Sequence, residues 1–277
     1  MPITLKAMKR RTAIYYQTVL IGAFASLPSL CLADKIAFFY ALDADFRALK
    51  ATGTEARQPM KVGGRGIQVV SVGKHTVYAI KMGAGPVETA ISAEALLAKF
   101  PCDFAFSLGP VGALSNDLEV GKWYRVSSVT AYQKGSWTDS GFQIAKAFVI
   151  SPANEGQRDL TMPTLFEDLK SIAIASGEIF IASGRYRQQL RELAGADAVD
   201  MNLFGLITVC ADHHIPLINW RVVSDNADDN ASEDFRKFTQ TYDGAGGKAL
   251  AELIRNLPPN PNSPESYPEL QKLLRKQ

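Results

Sequence analysis

Residues 216–235 read PLINWRVVSDNADDNASEDF. Pro216 opens an apolar run that continues to Val223 and gives out at Ser224-Asp225, where an acidic, polar segment begins. The length of the run, its β-branched residues and its flanking breakers predict a buried strand over 216–225. Arg221 lies inside that run. An unpaired buried charge is very costly, so the arginine requires an acidic or ligand partner. Asp225, at the point where the strand ends, is placed either to cap the next helix or to serve as a site carboxylate.

Other apolar runs repeat the theme. KIAFFYAL (35–42) predicts a buried strand and DADFRALKA a helix after it. IQVVSVGKHTVYAIKMG (67–83) predicts a hairpin around Gly73-Lys74. ETAISAEALLAKF (88–100) has the three-and-four spacing of a helix. FAFSLG (104–109), KWYRVSSVTAYQ (122–133) and EIFIAS (178–183) predict strands, LFGLITVCADHH (203–214) a helix, and GAGGKALAELIRNL (244–257) a last helix. Strands alternating with helices predict an α/β domain with a largely parallel sheet. Ligands of such sheets bind at the carboxyl ends of the strands, which points to 42–45, 109–112 and 224–225.

The 277 residues are 47% hydrophobic and 21% charged, enough for one large core, and a net charge of +2 gives no sign of a nucleic-acid binder. Lys6, Lys9, Arg10 and Arg11 are the only charged residues before Asp34. Removing these four from the 30 basic residues leaves 26 against 28 acidic ones, a remainder of about −2. A basic start, an apolar middle and Ala33 before DKIAFF predict a secretory signal peptide over 1–33 and a periplasmic or secreted mature chain. Gln17, Ser26, Pro28 and Ser29 interrupt the apolar stretch and weigh against a membrane anchor. Cys31 raises lipidation as an alternative. The Pro-rich segment 258–277 reads as a loosely packed tail. Cys102 and Cys210 lie in apolar surroundings, as inert thiols do, although a disulfide between them is open. His75, His213 and His214 lack metal-ligand spacing, so no metal and no cofactor is expected.

KMGAGPVETA (81–90) ends a strand in glycines and starts a helix, where backbone N–H groups could hold a polar ligand or anion. A tight turn that needs glycine explains it equally. In AVDMNLFG (198–205), Asp200 or Asn202 reads as a helix N-cap.

Together KIAFFYALDADFRAL, AIKMGAGPVETAISAEALL, DFAFSLGPVGALSNDLEVGKWYRVSSV, IFIASG, AVDMNLFGLITVC and PLINWRVVSDNADDNASEDF resemble, in order and spacing, the nucleoside phosphorylases and nucleosidases. The likeness is greatest to the methylthioadenosine/S-adenosylhomocysteine nucleosidase branch. It runs from about Lys35 to Leu253 and implies a domain over 34–257. The implied fold is a three-layer α/β/α with a central mixed, partly barrel-like sheet. The implied activity is hydrolysis of a purine nucleoside N-glycosidic bond, by a homodimer and without a metal. On this resemblance Asp225 is the acid that protonates the purine, oriented by Ser224. Arg221 stands near the nucleophile, and Asp45, three residues after the Ala41-Leu42 pair, positions the attacking water. Gly83 and Gly109 frame the substrate with Leu42. Met201 lies beside the ribose, Tyr186 stacks on the purine and Phe235 lines the 5′ pocket.

Two positions depart from the family pattern. Asn202 stands where the family has a ribose-binding glutamate, and offers one uncharged acceptor in place of a carboxylate. Pro110 stands where a serine is usual, and has neither N–H nor hydroxyl for phosphate. A noncatalytic nucleoside- or base-binding protein is therefore the alternative to a hydrolase, with a phosphorylase third. Glutamate at 202 is expected to raise activity if the ribose contact is merely weakened.

Overall fold

The computed structural model describes residues 34–53, 55–145, 149–150 and 162–257. The segments read as a signal peptide, with Cys31, and as a Pro-rich tail lie outside these residues. Among the described residues no helix is long and apolar enough to cross a membrane.

In chain order the strands are β1 (Lys35–Tyr40), β2 (Glu55–Val62), β3 (Arg65–Val72), β4 (His75–Lys81), β5 (Phe104–Ala113), β6 (Trp123–Ala131), β7 (Gly135–Thr138), β8 (Gly141–Ile144), β9 (Val149–Ile150), β10 (Ser171–Ser176), β11 (Ala198–Asp200) and β12 (Leu217–Asp225). The helices are α1 (Asp43–Thr52), α2 (Pro86–Leu97), α3 (Gly184–Ala194), α4 (Leu203–Asp212), α5 (Ala231–Thr241) and α6 (Ala245–Arg255). β12 is buried at every position. It lies between β5, to which it is parallel, and β6, to which it is antiparallel.

The pairing order β5–β12–β6–β10–β11 returns to β5, because Ala198 and Val199 also pair with Ala113 and Gly112. Five strands thus close into a barrel. From β5 the sheet continues outward through β1, β4, β3 and β2. The sheet is mixed rather than largely parallel. Ladders β1–β4, β1–β5, β5–β12, β6–β10 and β10–β11 are parallel; β5–β11, β6–β12, β3–β4 and β2–β3 are antiparallel. The tight turns at Gly63-Gly64 and at Gly73, all with positive φ, make the two hairpin reversals β2–β3 and β3–β4, and the other two antiparallel ladders lie within the closed ring.

Side chains alternate across the sheet with period two, which makes three layers. On β1, Ala37 and Phe39 join one core cluster with Leu96 of α2 and Leu206 of α4. Ile36, Phe38 and Tyr40 join another with Leu49 of α1 and Leu250 of α6. On β12, Ile218, Trp220 and Val222 face α1 and α6, whereas Leu217 and Val223 face the other way. Arg221 therefore projects from the α2–α4 side of the strand.

One predicted strand is displaced. Residues 178–183 are irregular, and the strand is the preceding SIAIAS of β10. Glu178 draws its segment off the sheet: its backbone N–H donates to Gln133 Oε1, and its carboxylate accepts from the Val87 N–H. The acidic, polar segment after Asp225 leads into α5.

Candidate active site

The carboxyl ends of the strands enclose a cavity of about 310 Å³. Ala41 and Leu42 after β1, Lys81 at the end of β4 with Met82–Ala84 after it, and Pro110–Gly112 of β5 form part of its wall. Ile179–Ile181 after β10, Val199–Asn202 around β11, Ser224-Asp225 ending β12, and Phe235 of α5 complete it. Its size falls at the lower end of the range for small-molecule sites, roughly 300–1,000 Å³.

Of the residues expected here, Asp225, Ser224, Met201, Asn202, Leu42, Gly83 and Phe235 line the cavity, as does Pro110. The structure does not bring Asp45, Arg221, Gly109 or Tyr186 to that lining. Tyr186 lines a second cavity of about 590 Å³, which shares the wall Ile179–Ile181 with the first. Phe180, absent from the sequence reading, takes the aromatic position between the two cavities. Its ring lies edge-on to Phe235, with centroids 5.8 Å apart.

Asp225 is 2% exposed. Its Oδ2 lies 2.7 Å from Ser224 Oγ, and its Oδ1 accepts from the Ala227 N–H at 2.9 Å. Burial pushes its pKa above the ordinary carboxylate range, while Ser224 and the Ala227 N–H pull it back. Ser224 has one hydroxyl hydrogen and a second acceptor in reach, Val111 O at 3.2 Å.

Arg221 is fully buried one layer behind the wall, and its partner is Asp200 rather than Asp225. Nε lies 3.7 Å from Asp200 Oδ2. Nη1 donates to Trp220 O at 2.9 Å and Ser107 O at 3.2 Å, and Nη2 to Ser107 Oγ at 3.0 Å. Burial lowers its pKa to about 10, with Asp200 and then Asp45 opposing. Gly109 lies beside this group: a Cβ there would lie tightly against Ala41 Cβ, at 3.2 Å, and in ordinary contact with Arg221 Nε, at 3.8 Å. Asp200 also performs the expected capping, accepting from the Leu203 N–H at the start of α4. Its pKa is raised by burial, against the pull of Arg221.

Asp45 is sealed beneath α6. Its Oδ1 accepts from Tyr242 O–H at 2.5 Å and from the Gly247 N–H at 3.0 Å. Gly246 and Gly247 permit that approach, since a Cβ at Gly247 would collide with Asp45 O. Burial raises the Asp45 pKa to about 6; the Tyr242 bond lowers it.

Asn202 commits its amide nitrogen to the protein. Nδ2 donates to Gly83 O and, at 2.9 Å, to Thr89 Oγ1. The N-terminus of α2, read as a possible anion site, holds the protein's own Glu178 carboxylate on the Val87 N–H at 3.1 Å. Elsewhere, Cys102 and Cys210 are free thiols, Cys102 half-buried, and His213 pairs with Glu94 at 2.7 Å.

Residues 35–255 match the family model of the phosphorylase superfamily. The 5′-methylthioadenosine/S-adenosylhomocysteine nucleosidase of Buchnera aphidicola (subsp. Baizongia pistaciae) is 30% identical over 174 residues, 59% of this chain and 67% of that protein. The Staphylococcus saprophyticus enzyme of the same name is 28% identical over 193 residues, 65% of this chain and 82% of its own. Among solved structures, the Colwellia psychrerythraea nucleosidase in complex with adenine superposes with a TM-score of 0.69 at 19% identity, covering 82% of this chain and 96% of that one. The futalosine hydrolase of Helicobacter pylori superposes with a TM-score of 0.68 at 20% identity, covering 81% and 99%. These likenesses carry the fold.

Proposed function

The chain belongs to the phosphorylase superfamily, close to the methylthioadenosine/S-adenosylhomocysteine nucleosidases, and on that footing we propose that it hydrolyses the N-glycosidic bond of a purine nucleoside of their substrate type. One observation carries the reading: a buried carboxyl, Asp225, lines the cavity with its pKa raised. Such a group holds a proton to higher pH than a free aspartate, whose pKa is about 3.9, and can deliver it as an acid.

In the proposed reaction the C1′–N9 bond breaks and its electron pair passes to the base, which takes the Asp225 proton. Water adds to the cationic C1′ and loses a proton that restores Asp225. The carboxylate left in between is not orphaned, because Ser224 O–H and the Ala227 N–H both donate to it. Phe180 and Phe235 supply an aromatic wall for the base and the 5′ group. Asp45 acts from behind the wall rather than on the water. With Asp200 it flanks Arg221, and once both acids are ionised this array carries one net negative charge. That charge favours the cationic sugar of the transition state.

Two features weigh against phosphate as nucleophile. Pro110 gives the cavity neither N–H nor hydroxyl, and Glu178 already takes the Val87 N–H of α2. A noncatalytic binder is the second reading, favoured by the neutral amide of Asn202. Incubation with methylthioadenosine, adenosine and inosine, with and without phosphate, separates the three. Base release independent of phosphate supports hydrolysis, phosphate-dependent release a phosphorylase, and binding without release the second reading.

The basic-then-apolar start of the sequence supports export, and N-terminal sequencing of secreted material tests it. A homodimer is supported by large apolar side chains left at the surface: Val87 is 62% exposed and Ile179, which also lines the cavity, 53%. Light scattering tests that assembly.

A further inference from the structure

The second cavity, of about 590 Å³, lies beside the first and shares with it the wall Ile179–Ile181. α3 builds another side of it: Tyr186, Gln189, Leu190 and Leu193 recur at helical spacing along one face. Tyr186 is 58% exposed and Leu193 47%, large apolar surfaces left in water. Among the described residues no charged side chain lines this cavity. Ser183 and Gln189 are neutral, and the Tyr132 O–H is spent on Ile179 O at 3.0 Å. Such a lining takes an uncharged, apolar group.

Asp225 stands on the side of the first cavity that adjoins this space. Ala227, whose N–H holds Asp225 Oδ1, packs in one apolar cluster with Val199, Tyr132, Leu190 and Ile181, and the last three line the second cavity. A Cβ at Gly112 would meet Asp225 Oδ1, Ala227 Cβ and Val199 Cγ1 together, at 2.9, 3.1 and 3.3 Å. Leu42 and Met82, by contrast, follow β1 and β4, which carry the sheet away from the barrel. We infer that the second cavity is a subsite for an apolar substituent on the base, so that the protein prefers purines bearing an alkyl or aryl group on the exocyclic amine over the plain base. The inference rests on the reading that the first cavity holds a purine with its base on Asp225. In adenine the amine and the proton-accepting N7 share one edge of the ring system, away from the sugar-bearing N9. A substituent on the amine is therefore directed to the Asp225 side. Phe180 lines both cavities, so the substituent lies across its ring.

The test is titration calorimetry of the full-length protein with adenine and N6-benzyladenine, free bases that cannot turn over. Each CH₂ moved from water into an apolar lining is worth roughly fourfold in affinity, and the benzyl group is expected to gain more than that single increment. Ala182 lines the second cavity and not the first. Ala182→Trp fills the subsite and is expected to remove the gain while adenine binds as before. A gain below about fourfold overturns the inference, as does a gain that survives in folded Ala182→Trp, or binding of neither base. No gain, together with a fall in mass by light scattering on Ala182→Trp, overturns it in favour of an interface between copies of this chain. The comparison of the two bases on the unaltered protein stands as a test even if the variant folds poorly. Hydrolysis is judged separately, by base release from adenosine and N6-benzyladenosine. A benzyl gain without release from either removes the proposed reaction and leaves the subsite; release from adenosine without a benzyl gain does the reverse.

Discussion

Replacing Arg221 by methionine removes a cation and keeps an unbranched apolar stem of similar length. Arg221 is fully buried, and its guanidinium donates to Ser107 O, Ser107 Oγ and Trp220 O while facing Asp200 Oδ2 at 3.7 Å. Methionine leaves the Asp200 carboxylate buried without its cation. Breaking a buried pair by removing one partner costs about 3–5 kcal/mol, a large part of a typical stability of about 5–15 kcal/mol. The penalty depends on pH in a definite direction. Burial already raises the folded-state pKa of Asp200, and Arg221 opposes that rise. A raised acid contributes stability that is present below its unfolded pKa and is lost as pH rises through its folded value. Without Arg221 the folded value rises further, so the loss is largest near neutral pH and shrinks as the solution approaches about pH 4, the ordinary aspartate range. Urea unfolding at several pH values measures this. Adding Asp200→Asn, which keeps an acceptor for the Leu203 N–H, should recover much of the loss. A penalty below about 1 kcal/mol near neutrality, against the 3–5 expected, or one that is flat with pH, would refute the pairing of Arg221 with Asp200.

Asn202→Glu should lower base release rather than raise it, because a carboxylate oxygen would replace the donor now facing Gly83 O; the expected penalty is about 1–3 kcal/mol, read as kcat/KM on methylthioadenosine. Tyr242→Phe deletes the O–H that donates to Asp45 and that, against burial, holds its raised pKa down to about 6. Base release should rise with pH through about 6 in the wild type as Asp45 ionises, and the variant's rising limb should lie at higher pH; a limb that does not move contradicts the electrostatic part given to Asp45. In stability, the Asp45 contribution is fully present below its unfolded pKa and is lost as pH rises through about 6. Tyr242→Phe should therefore destabilise more above that value than below it, as thermal unfolding would show.

The parts of the fold carried by long apolar runs were legible. β12 could be read because nine buried residues follow Pro216, and β1, β5 and α4 for similar reasons. That Arg221 needs a partner followed from charge burial alone. Which partner did not follow, since Asp200 lies on β11, and the closure that brings the two together depends on the β5–β11 ladder, which no local pattern announces. Asp45 looked like a cavity residue from its place after β1. Its burial is set by Gly246 and Gly247, whose missing side chains let α6 close over it. EIFIAS reads as a strand by hydrophobicity, yet Glu178 anchors it to α2 and turns Phe180 to the cavity that Tyr186 was expected to serve. The small residues of SIAIAS hid a central strand.

Adenine release from methylthioadenosine in phosphate-free buffer, compared between the wild-type protein and Asp225→Asn, bears most directly on the catalytic role of the buried carboxyl. Asparagine keeps an acceptor for the Ala227 N–H but has no proton to give, so the folded variant should be slower by about 10²–10⁴-fold, the usual worth of a general acid. A folded variant that releases adenine at the wild-type rate would contradict the assignment.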